Sequence, residues 1–172
     1  ANADTETLRQ LNNYEIATRL SYFLWNSMPD DRLFKLAESG VLNQESILIE
    51  ETNRMLQDPR SDAFFANFTD QWLGIGDVYN VAVNPEHFEG FNDRMKDVMK
   101  AETIAFFKEI VQEDHRMTGL IDADFAMLNG DLARYYGIPN VSGNFLRPVA
   151  LPANSQRGGI LTQAGLLTRN SN

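Results

Sequence analysis

The sequence predicts an all-α fold, a single irregular bundle of about six or seven helices with two long loops and a C-terminal helical tail. Three observations carry this expectation. Apolar residues recur three and four positions apart along most of the chain, residues suited to helix N-caps precede those runs, and alternating strand patterns are lacking. A chain of 172 residues with 43% apolar content and 11 Phe can stock one real core without covalent staples.

Residues 1 to 10 are polar and read as a lead-in. Asn12 and Glu15 then stand at capping-box spacing for a first helix over 13–27. Ile16, Leu20, Phe23 and Leu24 form its apolar stripe, which Tyr22 and Trp25 widen beyond that of a half-exposed helix, so this helix is expected to sit centrally. Pro29 is expected at a first helical position, with Asp30 and Asp31 near the amide-rich end of a second helix carrying Leu33, Phe34, Leu36 and Ala37, stopped by Gly40. Asn43 opens a third helix through Ile47, Leu48, Met55 and Leu56, which ends at Asp58-Pro59 because proline disfavours helical geometry in the residue before it.

Ser61 is read as the cap of a fourth, aromatic-rich helix bearing Phe64, Phe65, Phe68, Trp72 and Leu73, closed by Gly74 and Gly76. Residues 75–90 lack periodicity and read as a loop that crosses the bundle. Asn92 caps the longest helix, 93–113, with Met95, Val98, Met99, Thr103, Phe106, Ile110 and Val111 inward. A short helix follows from Asn129 to Tyr136 and stops at Gly137 and Pro139. Residues 139–159 are rich in turn formers, with Phe145 to Val149 extended along an edge, and 159–168 form the helical tail.

A net charge of −9 and a pI near 4.6 exclude the basic face that a nucleic-acid partner requires. The absence of cysteine removes disulfides, thiolate metal sites and covalent haem attachment from this chain. No apolar run reaches the ~18 to 20 residues of a membrane span, and no signal-like segment opens the chain. The chain starts Ala1-Asn2-Ala3 and stops just after an apolar periodic segment, so 1–172 reads as one helical domain excised from a longer protein.

Few residues suggest chemistry. His87 and His115 are not at metal-ligand spacing, so no metal site is expected, and no cofactor-binding motif is present. Gly158-Gly159 and Ser27 lack the surroundings of a phosphate cradle or a nucleophile elbow. Asp122 and Asp124 have the makings of an acid and base pair, although aspartates at such places usually accept bonds from backbone amides in caps or turns. Arg19 and Glu102 each interrupt an apolar stripe. If both faces are internal, the two are expected to pair and fix helix register, with a catalytic or proton-relay role as the alternative. The catalytic candidates are therefore Asp122, Asp124, Arg19 and Glu102.

The ordered motifs RLSYFLWNSMPDD, QWLG, DADFAMLNGDLARYYGI and RGGILTQAGLLTRNSN run from Arg19 to Asn172, within a likeness that covers about residues 11 to 172. In them the chain resembles the planctomycete-type domains of unknown function that occur in tandem with a c-type cytochrome domain in large extracytoplasmic proteins. The resemblance implies a periplasmic or cell-envelope location, haem in a companion domain rather than here, and redox-associated biology linked to polymer degradation. It assigns no catalytic residue. In such proteins the Arg-Gly-Gly segment continues into the next module, so 157–172 reads as a junction with it. The leading functional expectation is a non-catalytic scaffold that docks neighbouring domains of the same polypeptide or an electron-transfer partner. The alternatives are an enzymatic domain of an oxidoreductase or polymer-degrading assembly, and a polysaccharide-binding surface built on Tyr79, Phe88 or Phe91.

Overall fold

Asn12 begins the first helix as the sequence requires. In a computed structural model, which describes residues 9–82, 91–152 and 154–170, its side chain accepts the Glu15 amide at 2.9 Å, and Glu15 accepts the Asn12 amide at 2.8 Å. This reciprocal box starts α1 (Asn13–Trp25), which ends where Asn26 turns left-handed at φ +50°. The fold is mostly helical, and the chain divides into two compact units, Ala1–Phe64 and Phe65–Asn172, where the sequence predicts a single bundle.

In the first unit α1 packs against α2 (Asp31–Glu38) and α3 (Glu45–Gln57) around Ala17, Leu24, Trp25, Leu33, Ala37, Leu42 and Met55. Trp25 is buried, and its indole N–H donates to the Met55 carbonyl at 2.9 Å, satisfying the one polar atom it brings inside. Arg60 lies over its ring at 3.4 Å. Three expected caps shift here. Asp30, not Pro29, is the boundary residue of α2, accepting the Leu33 amide at 3.0 Å, so the buried Pro29 precedes the cap. Asn43 stands one residue before the N-cap position of α3, and its amide donates to Asn13 instead. Ser61 ends a 3-10 turn, donating to the Leu56 and Asp58 carbonyls rather than accepting from α4 (Asp62–Leu73).

In the second unit the aromatic residues of α4 surround Phe107 of α5 (Asp93–Gln112), with ring centroids of Phe65, Phe68 and Trp72 at 5.9, 5.2 and 5.9 Å. Asn92 caps α5 through the Met95 amide, and Asn129 caps α6 (Gly130–Tyr136) through the Leu132 amide. Part of the long loop, Ile75–Asn80, is a 3-10 helix against α5, and 83–90 lie outside the described residues.

The addition to the expected fold is a small antiparallel sheet of β1 (Phe125–Leu128) and β2 (Arg147–Ala150), with Phe125 opposite Ala150 and Leu128 opposite Arg147. The extended Phe145–Val149 expectation largely coincides with β2. A four-residue apolar run such as β1 has too short a period to distinguish strand from helix. The tail adds a 3-10 turn, Ile160–Thr162, and α7 (Ala164–Asn170), which lies on α5 and on Ile75–Asn80. Gly165 allows that approach, since a Cβ there would sit 2.9 Å from Ile75 Cδ1. Ile160 and Leu166 are buried, whereas Leu161 and Leu167 are 59% and 53% exposed.

Candidate functional site

Glu102 occupies the buried stripe of α5 between Met99 and Phe106, so helical spacing alone carries it inside. It is fully buried. The expected pairing with Arg19 required both faces to be internal, and Arg19 is exposed on α1. Glu102 instead takes its hydrogen bond from Tyr136, whose hydroxyl donates to Oε2 at 2.6 Å. That hydroxyl also accepts the Ala164 amide at 2.8 Å, satisfying the first amide of α7. The Arg157 guanidinium stacks over the Tyr136 ring at 3.8 Å and donates to the Thr162 carbonyl at 3.0 Å.

Burial dominates the electrostatics of this group. Loss of solvation pushes the Glu102 carboxyl up to about 8, against the opposing pull of the Tyr136 hydrogen bond and the Arg157 charge. Tyr136 is raised as well, by burial and then by the neighbouring carboxyl.

The Arg157-Gly158-Gly159 turn brings the chain against this pair because neither glycine has room for a side chain. A Cβ on Gly158 would meet the Ala123 carbonyl oxygen at 2.7 Å, and one on Gly159, at φ +70°, the Ile121 oxygen at 2.2 Å. Thr162 ties the turn further, accepting the Gly158 amide at 2.9 Å.

The segment so gripped, 121–124, forms one wall of a surface cleft of about 540 Å³. Asp122 and Asp124 both line it, with His115 and Arg116 from the residues after α5, Ser155, and Arg157. The two carboxylates thus line one cleft, where the sequence favours their accepting backbone amides in caps or turns. Among the described residues neither side chain has a hydrogen bond or ion pair. Their backbones serve instead, the Asp122 amide donating to Thr118 and the Asp124 carbonyl accepting from Leu151 at 2.7 Å. His115 stacks near Phe125 at 5.3 Å. Phe125, Leu151 and Arg157 line both the cleft and the small chamber that holds Glu102, so the two are neighbours.

Arg19 belongs to the first unit, where it borders a wide apolar groove of about 920 Å³ between α1 and α3. Leu11, Ile16, Leu20 and Leu48 line it, with Tyr22 and Phe23 51% and 63% exposed. The first helix, expected to sit centrally, is central to its unit on one face and open on the other.

Of the aromatic residues considered for glycan contact, Tyr79 donates its hydroxyl to Asp97 at 2.5 Å, Phe91 is half-buried near Lys96, and Phe88 lies outside the described residues, as does His87. Among the described residues no group of three His, Asp or Glu side chains converges on a metal position, and no helix is long and apolar enough to cross a membrane.

Sequence reasoning singled out Glu102 but missed Tyr136, Arg157 and Gln163. The available signal was a tyrosine ending a helix before Gly137, together with an Arg-Gly-Gly turn. It also missed the buried Glu51, which accepts from Arg32 Nε at 2.6 Å and Arg54 Nε at 2.9 Å.

Residues 11–138 match the model of a family described as PSD4, protein of unknown function (DUF1592). No curated protein and no solved structure matches the chain.

Proposed function

The chain belongs to the DUF1592 family, and from that premise we propose that it is a non-catalytic helical docking module of a longer, multidomain protein. The observation that carries this reading is the groove between α1 and α3. Exposed apolar side chains that flank a concave apolar floor suit the insertion of an amphipathic helix, with Leu20, Tyr22 and Phe23 as contacts and Arg19, Gln10 and Asn43 as polar edge. The occupant is a helix of a neighbouring domain of the same polypeptide. In keeping with the motif resemblance, the parent protein carries a c-type cytochrome domain that holds the haem, works outside the cytoplasm, and brings this module beside an electron-transfer partner or a polysaccharide.

The test is calorimetric titration of the chain with its neighbouring domain added in trans. Phe23→Asp and Leu20→Asp should weaken binding at least about tenfold, the effect expected for losing one buried anchor. Unchanged affinity in both would overturn the reading. A second reading, an enzymatic cleft in the second unit, is favoured by one observation, that Asp122 and Asp124 line the same cleft and neither side chain is bonded among the described residues. Turnover lost in Asp124→Asn and retained in Phe23→Asp would select it.

A further inference from the structure

The chamber beside the cleft contains two polar atoms whose bonding is incomplete. Glu102 Oε1 and Gln163 Oε1 are both buried, and neither has a hydrogen-bond partner among the described residues. Both line the same small space, walled by Phe106, Phe125 and Leu151 and closed by Gly158 and Gly159. Leaving either acceptor unsatisfied carries a substantial desolvation penalty, and native interiors rarely leave two side by side. The chamber measures about 10 Å³, close to the space one water requires.

We propose that this chamber is a hydrated proton site, in which one internal water bridges Glu102 Oε1 and Gln163 Oε1 and the Glu102 carboxyl holds an exchangeable proton behind Arg157. The donors and acceptors then form a closed ring. The Ala164 amide donates to the Tyr136 hydroxyl, and Tyr136 donates to Glu102 Oε2. The protonated Oε1 donates to the water, and the water donates to Gln163 Oε1, one residue before Ala164.

When the proton leaves, it passes to the water, which releases a proton toward the cleft and turns a hydrogen back to the ionised Oε1. Water suits both states because it donates and accepts, so the site exchanges its proton without breaking the ring. Charged or titratable groups facing Glu102 in the chamber are Tyr136 from α6 and Arg157 from the turn. Burial keeps the proton on the carboxyl near neutral pH, and Arg157, which also lines the cleft, stabilises the ionised form. The site is independent of the docking groove.

The test uses the whole chain. Infrared spectra at pH 6, where exposed carboxyls are ionised, should show the carbonyl stretch of one protonated acid. That band should shift in D2O, fade as pH rises past about 8, and be absent from Glu102→Gln. Gln163→Met should move it to higher frequency by removing the far end of the water bridge. If Glu102→Gln fails to fold, the carboxyl carbon of isotopically labelled Glu102 is followed by NMR in the wild type. An ionised Glu102 at pH 6, or a band unmoved by Gln163→Met, overturns the proposal.

Discussion

The hydroxyl of Tyr136 stands between Glu102 and α7, donating a hydrogen bond to Glu102 Oε2 at 2.6 Å and accepting one from the Ala164 amide at 2.8 Å. One phenol thus joins α5, α6 and the tail. Tyr136→Phe keeps the ring beneath Arg157 but leaves a buried carboxyl and a buried amide unsatisfied, each costing about 1–3 kcal/mol. Chemical denaturation of the second unit should therefore show a loss of about 2–6 kcal/mol. A loss below 1 kcal/mol would mean that water replaces the hydroxyl freely.

The pH dependence of stability should differ between the units. Glu102 has a folded pKa raised above its unfolded value, so the native state binds the extra proton and its contribution is complete at pH below about 4.5. That contribution is lost as pH rises toward about 8, with a slope approaching about 1.4 kcal/mol per pH unit. In the first unit the sign reverses. Arg60 holds Asp58 down at about 2, and Asp30, despite its burial, is lowered by the Leu33 amide and Arg54. Their contribution is present above the ordinary carboxylate range and is lost as pH falls below it, for Asp58 through about 2. Hydrogen exchange read unit by unit between pH 5 and 9 should show the second unit weakening alone, and Glu102→Gln should flatten that trend.

How much of this was legible depends on the range of the interaction. Asn12 and Asn92 act on amides three residues ahead, so local spacing announces them, and α1 and α5 begin where the sequence places them, while Asn129, expected as the first residue of α6, caps it instead. Asn43 and Ser61 have the same composition signal but are drawn to Asn13, Leu56 and Asp58, partners that local spacing at a helix start does not reveal. Glu102 was visible as a polar interruption of an apolar stripe. Its partner was not, because Tyr136 is 34 residues away and reads as an ordinary apolar position near a helix end. The Arg-Gly-Gly turn was legible only as the end of a turn-rich stretch and as a shared motif, since the need for glycine arises from the carbonyls of Ile121 and Ala123.

Gly159→Ala tests that need directly. The residue sits at φ +70°, and an added methyl would approach the Ile121 carbonyl oxygen at 2.2 Å, so backbone must move. Strain and lost packing together should cost about 2–4 kcal/mol. Gly137→Ala, at φ +71° with open space around its Cβ position, bears conformational strain without a clash and should cost about 1 kcal/mol. Equal effects in thermal denaturation would show that the turn yields to the methyl.

The family match ends at residue 138, but the second unit does not. Beyond that point come β2, which pairs with β1, the Gly158-Gly159 contact, Gln163 and Ala164 at the Glu102 chamber, and Leu166, which is buried. A chain ending at Ile138 would leave β1 without its partner and open the Glu102 chamber to water. In such a chain the amides of α5 should lose most of their exchange protection while those of α1 keep theirs, because the core around Trp25 and Met55 needs nothing past the first unit. Supplying 139–172 as a separate peptide should restore protection in α5. If the proposed following module packs on the exposed Leu161 and Leu167, a chain that includes it should gain protection at 160–168. Full protection of α5 in the chain ending at Ile138 would show that the tail is only docked on the second unit and belongs to the next module alone.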